Sequence, residues 1–297
     1  MPLNIRTYHD LTDADVSGLP EQIGVQRRRV AARMAGVERV IAVMSGKGGV
    51  GKSFVTAHLA RTLARRGRPV GVLDADLNGP TAAGLLGAGR AALVVEDDAV
   101  LPATGTDGVR LVSMDLLLED GRPLAFRGPA ADRFVWRGAM EANALREFLA
   151  DTAWGALDVL LLDLPPGTDR LVTVASLLPV LSGTIVVTIP SDVSHLVVRK
   201  SITIAAQTKA PVLGLVENMS GLFPGPSGAE LAREAGIPFL GAVPFDPALA
   251  AAADLGEPLV AAAPTCEAAR ALTAIAHTVG AALARAAAPS SRAPRPA

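Results

Sequence analysis

At 297 residues, half of them hydrophobic but only 3% aromatic, the chain can build a sizeable core of Ala, Val and Leu, which suits helices packed on a parallel sheet and excludes wholesale disorder. The 28 Lys and Arg nearly balance 29 Asp and Glu, for a net charge of -1, so neither nucleic acid nor a membrane surface is an expected partner. A single cysteine, Cys266, excludes an internal disulfide, a CxxC pair and a four-thiolate zinc site within one subunit; with no secretory signal pattern at the start, the expected location is cytoplasmic.

Residues 1–36 read as a short polar N-terminal extension, with Arg27, Arg28, Arg29 and Arg33 on the solvated face of a short helix. Beyond them, apolar runs at 40–44, 70–73, 109–114, 159–164, 184–189, 212–216 and 239–243 alternate with helical patterns. That βαβ rhythm predicts one α/β domain over 37–285 with a mostly parallel, doubly wound sheet. Between 87 and 137 Gly, Pro and Asp become frequent, which predicts short strands and a surface excursion. The uncharged stretch 171–191 is long enough to span a bilayer, but Pro179, Ser182, Gly183 and Pro190 divide it into a helix end, a turn and a strand. Asp192, Ser194 and His195 have the residue types of a hydrolase triad, yet neighbours on one helix point in different directions, so a helix cap from Ser191 or Asp192 is expected instead. The four histidines show no metal-ligand spacing, and the Pro/Ser/Arg-rich tail 286–297 is expected to be disordered.

The run at 40–44 leads into Ser45-Gly46-Lys47-Gly48-Gly49-Val50-Gly51-Lys52-Ser53 and then a helical pattern. This is G-x-x-x-x-G-K-S in a strand–loop–helix setting, a match that this chain's residue frequencies would produce by accident roughly 0.004 times. The backbone N–H groups of Gly46, Gly48, Gly49, Val50 and Gly51 are expected to wrap a phosphate at the positive end of the helix. Lys52 would neutralise phosphate charge and the Ser53 hydroxyl would ligate Mg²⁺. Two of the chain's four lysines, Lys47 and Lys52, fall in this one loop, although arginine is the usual base elsewhere.

Lys47, directly after the first glycine, resembles the signature lysine of the deviant Walker A ATPases, in which it reaches across a homodimer to the partner's nucleotide. Further segments narrow the resemblance to the Mrp/ApbC-type iron-sulfur cluster carriers: Asp74-Ala75-Asp76-Leu77-Asn78-Gly79-Pro80, Trp136-Arg137-Gly138, Trp154-Gly155, Asp163-Leu164-Pro165-Pro166-Gly167-Thr168, Glu217-Asn218-Met219-Ser220 and Pro244-Phe245-Asp246-Pro247, over 37–280. The resemblance implies a P-loop NTPase fold, ATP and Mg²⁺ as ligands, and a homodimer. It also implies that Lys47 and Lys52 stabilise transferring phosphoryl charge, Asp76 orients the attacking water, Asp74 supports the Mg²⁺ shell and Asn218 contacts adenine. Asp163 closes an apolar strand, where an ionised carboxylate is costly unless it faces Mg²⁺ or the phosphate loop. The plainer alternatives are a helix cap for Asp163, strand-end turn carboxylates for Asp74 and Asp76, and a turn asparagine for Asn218.

The chain departs from that family where the cluster should sit. The cysteine positions of the CxxC after the Glu-Asn-Met-Ser segment fall on Pro224 and Ser227, and Cys266 reads as an inert thiol at a helix start. Phe54 replaces a hydroxyl residue, and the Pro-Pro-Gly-Thr-Asp loop is one residue short. The expected function is therefore a MgATP hydrolase acting in iron-sulfur protein assembly on client proteins, without a stable cluster of its own. The alternative is a Min- or Par-like positioning or regulatory ATPase working by ATP-dependent partner association, although the Pro-broken tail offers no amphipathic membrane helix.

Overall fold

The seven expected apolar runs form the strands β1 (Val40–Ser45), β2 (Val70–Asp74), β6 (Arg110–Val112), β7 (Val159–Asp163), β8 (Gly183–Thr188), β9 (Val212–Ser220) and β10 (Phe239–Pro244). The computed structural model describes residues 19–117 except 90, 92, 97 and 98, then 133–167, 170–208, 210–254 and 266–287. These strands pair in parallel in one sheet of order β10-β9-β8-β1-β7-β2-β6, extended at the far edge by the antiparallel β5 (Ala103–Thr104). A separate hairpin, β3 (Val94–Glu96) and β4 (Ala99–Leu101), fills part of the expected excursion. Every residue of β1, β2, β7 and β8 is buried, because helices cover both faces of the sheet, and this is why those runs are continuously apolar.

On one face α2 (Lys52–Ala64), α3 (Ala82–Leu85), α8 (Pro247–Asp254) and α9 (Glu267–Ala287) enclose a core of small and branched residues. The other face carries α1 (Leu19–Met34), α4 (Arg133–Asp151), α5 (Arg170–Leu177), α6 (Asp192–Gln207) and α7 (Gly228–Ala235). Helix α1 is more than a polar appendage: it packs on α4 and buries Val30 and Met34, while Arg27 and Arg28 stay exposed and Arg29 pairs with Asp151 at 2.6 Å. The 171–191 stretch forms α5, a turn and the buried β8, and among the described residues no helix is long and apolar enough to cross a membrane.

Two boundaries differ from expectation for polar reasons. β9 runs on to Ser220 because Glu217 and Asn218 are buried with partners: Glu217 Oε2 accepts the N–H of Gly228, and Asn218 Nδ2 donates to the Val50 carbonyl at 2.9 Å. β6 stops at Val112 because the Ser113 hydroxyl accepts the Asp115 N–H and opens a turn of 3₁₀ helix. Helix α9 extends through Ala287, so the first two residues of the expected tail are helical, and 288–297 lie outside the described residues. The chain leaves β1 toward β2 on one side and reaches β8 on the other, which sets a crevice at the carboxyl end of β1.

Candidate functional site

After β1 the chain turns through 46–51 and enters α2 at Lys52, with Gly51 in the N-cap position at φ 75° and no side-chain cap. The first N–H groups of α2 are thus left for an external acceptor, and the helix's positive end faces the same way. A Cβ on Gly51 would sit 2.2 Å from Asn218 Nδ2, so both backbone conformation and space require glycine there. The Ser45 hydroxyl donates to the Lys47 carbonyl at 3.0 Å and pins the loop's entry. Residues 47–53 line a cleft of about 560 Å³ closed on other sides by Asp76, Pro80, Asp115 and Pro166. Of the expected loop residues, Gly46 stands apart. It is not on the cleft wall; a Cβ there would meet Val197 Cγ1 at 2.4 Å, so its role is to let the loop pack on α6.

Beneath the loop, Lys52 Nζ lies 2.6 Å from Asp163 Oδ1, with side-chain exposures of 6% and 0%. The Thr56 hydroxyl donates to the same oxygen at 3.0 Å, and Lys52 Nζ is 3.4 Å from Ser53 Oγ. Asp163 caps no helix; it neutralises the loop lysine from the end of β7. Its Oδ2 is buried without a hydrogen-bond partner. A carboxylate oxygen in that state is costly unless a cation or its water shell reaches it, so Ser53 and Asp163 fit the Mg²⁺ expected with a nucleotide.

Asp74 and Asp163 face each other in register on β2 and β7. Burial, with the Asp163 charge beside it, pushes the Asp74 carboxyl up to about 7, against the N–H donors that favour its ionised form. Asp74 Oδ2 accepts the N–H groups of Thr81 and Ala82 and the Ser113 hydroxyl, and Oδ1 accepts the N–H of Asp76. These four donors make Asp74 the tie that holds the 75–82 loop, set back from the residues that line the cleft. Asp76 is on that wall, half-buried, and accepts the N–H of Gly79 at 3.3 Å. Lys47 also lines the cleft and is half-buried.

A second, apolar cavity of about 140 Å³ adjoins the cleft, lined by Asn218, Met219, Val243, Phe245 and Leu249 among others. Gly51 and Phe54 belong to both cavities, and the Phe54 ring packs on the His58 imidazole with centroids 4.2 Å apart. Because Asn218 Nδ2 is held by Val50, the amide's remaining acceptor is Oδ1, which suits an exocyclic amine. His58 is buried, Nδ1 bonds the Phe54 carbonyl at 2.9 Å, and desolvation lowers its imidazole to about 4. The sequence did not single out Asp115 on the cleft wall. Its only local mark is its place just past a strand's carboxyl end.

Where the resemblance puts cluster ligands, Ser227 is the N-cap of α7 and its Oγ accepts the N–H of Ala229 at 3.1 Å, while Pro224 is exposed in the preceding loop. Ser227 followed three residues later by Glu230 is a capping-box pattern that gives this role away in the sequence. Cys266 precedes α9 and its Sγ accepts the N–H of Ala269 at 3.4 Å, so it too serves a helix start. Ser191 occupies the N-cap position of α6 but makes no side-chain capping bond, contrary to expectation; the side chain of His195 and residues 168–169 lie outside the described residues. Among the described residues no group of three or more His, Cys, Asp or Glu could hold a metal ion.

Comparison with known proteins gives the family and the fold. A family model described as ParA, NUBPL iron-transfer P-loop NTPase, matches residues 36–280. An iron-sulfur cluster carrier protein of Saccharolobus solfataricus is 40% identical over 257 residues, 82% of this chain and 83% of that one. A cytosolic Fe-S cluster assembly factor of Rattus norvegicus is 39% identical over 262 residues, 83% and 93% of the two chains. Among solved structures, an Archaeoglobus fulgidus nucleotide-binding protein in complex with ADP superposes with a TM-score of 0.65 at 38% identity, covering 77% of this chain and 91% of that one. The cell-division ATPase MinD of Pyrococcus furiosus shares the fold at a TM-score of 0.62 and 23% identity, covering 82% and 99%. The phosphate loop over a buried Lys52–Asp163 pair and the extended match at this identity place the chain in one family: it belongs to the NUBPL-type iron-transfer P-loop NTPases of the ParA group.

Proposed function

We propose that the chain is a cytoplasmic, homodimeric MgATP hydrolase that serves iron-sulfur protein assembly by nucleotide-gated contact with client proteins, and that it does not ligate a cluster through its 220–228 loop. The observation that carries the nucleotide reading is the uncapped start of α2 above Lys52, whose present counter-charge is the buried Asp163. A triphosphate entering the cleft offers Lys52 a second anion and the free N–H groups their acceptors. Ser53 and Asp163 would hold the Mg²⁺, which when bound supplies Lewis-acid stabilisation of charge on the phosphate oxygens. Asn218 and the apolar cavity beside Phe54 take the base, with Asn218 Oδ1 accepting from the amine of adenine.

Asp76, on the cleft wall, orients a water whose oxygen bonds to the γ-phosphorus as the bridging P–O bond breaks; ADP leaves with the electron pair, and one water proton departs through Asp76 to solvent. Lys47 places its ammonium at the cleft and, by the resemblance, acts on the partner's nucleotide. Iron-sulfur assembly is supported by the relatives' names, whereas the likeness to MinD supports the fold alone. The reading that the 220–228 loop ligates no cluster is supported by Ser227 Oγ serving as the cap of α7.

The test is one preparation assayed twice. Phosphate release that depends on Mg²⁺ and ATP is expected, and anaerobic reconstitution with iron and sulfide is expected to leave no stoichiometric cluster. Absence of ATP binding by calorimetry would overturn the first part, and about four irons and four sulfides per dimer would overturn the second.

A further inference from the structure

Glu141 lies outside the cleft, on α4, yet it holds a loop from each side of it. Its side chain is 9% exposed, and each of its two oxygens meets a partner from a different segment. Oε1 accepts from Asn78 Nδ2 at 2.8 Å, and Oε2 pairs with Arg170 Nη2 at 2.6 Å. Asn78 sits in the 75–80 segment, which presents Asp76, Gly79 and Pro80 to the cleft. Arg170 opens α5, four residues after Pro166, which lines the cleft from the other loop. The ends of the 75–82 segment are already anchored by Asp74, through the N–H groups of Asp76, Thr81 and Ala82. In its middle, Asn78 is bonded to Glu141.

We propose that Glu141 is a positioning residue that joins the two cleft-lining loops into one unit and so sets where Asp76 stands relative to the phosphate loop. One carboxylate that satisfies a neutral donor in the 75–80 segment and a guanidinium at the start of α5 cannot move toward either without straining the other. A rotation of either loop is therefore felt by both. The phosphate loop and α2 have their own anchors, at Ser45, Asn218 and Asp163. Loss of Glu141 should leave nucleotide affinity largely intact and degrade the geometry of the water attack. This inference rests on the hydrolysis reading above and deepens it.

The test uses Glu141→Ala, with Glu141→Gln as a second variant that keeps an acceptor for Asn78 and removes the charge opposite Arg170. A displacement of order 1 Å at a catalytic group costs about 10²-fold, so Glu141→Ala is expected to lower kcat by roughly 10- to 100-fold. KM and ATP affinity should stay within about threefold, as for an interaction realised in the transition state. Arg170→Lys, which keeps a cation opposite Glu141, should keep most of the activity. In the nucleotide-free protein, hydrogen exchange should speed up together at 75–80 and at the start of α5 in Glu141→Gln, with the first turn of α2 unchanged. An unaltered kcat, a loss of affinity in proportion to kcat, or faster exchange in one segment without the other would each overturn the proposal. Absence of turnover in the unmodified protein would instead count against the hydrolysis reading, while the exchange comparison still decides the link.

Discussion

Replacing Lys52 tests two properties of one ion pair. In Lys52→Ala the Asp163 carboxylate, fully buried, keeps only the Thr56 hydroxyl on Oδ1 and nothing on Oδ2. Removing one partner of a buried pair costs about 3 to 5 kcal/mol, so the nucleotide-free protein should melt roughly 6 to 20 °C lower. The same change removes an ammonium from the phosphate site, worth about 2 to 4 kcal/mol or roughly 30- to 1000-fold in ATP affinity. The two effects separate in Lys52→Ala/Asp163→Asn. The second substitution discharges the stranded carboxylate and should restore most of the melting temperature, whereas ATP affinity should stay low. Thermal denaturation without nucleotide and calorimetric titration with MgATP read the two quantities independently. If Lys52→Ala melts as the unmodified protein does, or if the double variant is no more stable than the single one, the buried pair is not holding the loop as described.

Three further changes probe other parts of the molecule. Lys47→Ala should bind MgATP nearly normally but turn over about 10³-fold more slowly, the scale of a charge supplied in trans, and equal losses in binding and turnover would contradict that role. His58 is held neutral by burial, with its imidazole lowered to about 4 against an unfolded value near 6.5, so the unfolded chain takes up a proton that the folded one refuses between those pH values. Stability should therefore fall with pH in that window, and urea titrations should show His58→Leu gaining about 2 to 3 kcal/mol relative to the unmodified protein between pH 7 and 4.5; a pH-independent difference would refute the buried neutral state. Ser227→Ala should cost about 1 kcal/mol through the lost cap on α7 and leave iron content unchanged, and iron loss without destabilisation would reassign that serine as a ligand.

What a local stretch of chain can encode was legible in the sequence. The short apolar runs marked the seven strands, most clearly β1, β2, β7 and β8, which are covered on both faces, and G-x-x-x-x-G-K-S marked the phosphate loop because backbone conformation and charge are needed within a few residues. That Pro224 and Ser227 are not thiols was equally plain, since it needs only the identity of the residues. The tertiary structure decided the rest, since those contacts depend on strand order and register, which local pattern leaves open. Asp163 reaches Lys52 across 111 residues, Asn218 reaches Val50 across 168, and Glu141 reaches Asn78 across 63. Asp74 and Asp76 look interchangeable as two carboxylates at a strand end. The first is drawn into the turn by four donors and the second is left on the cleft wall, because the register of β2 against β7 buries one and the loop that follows exposes the other.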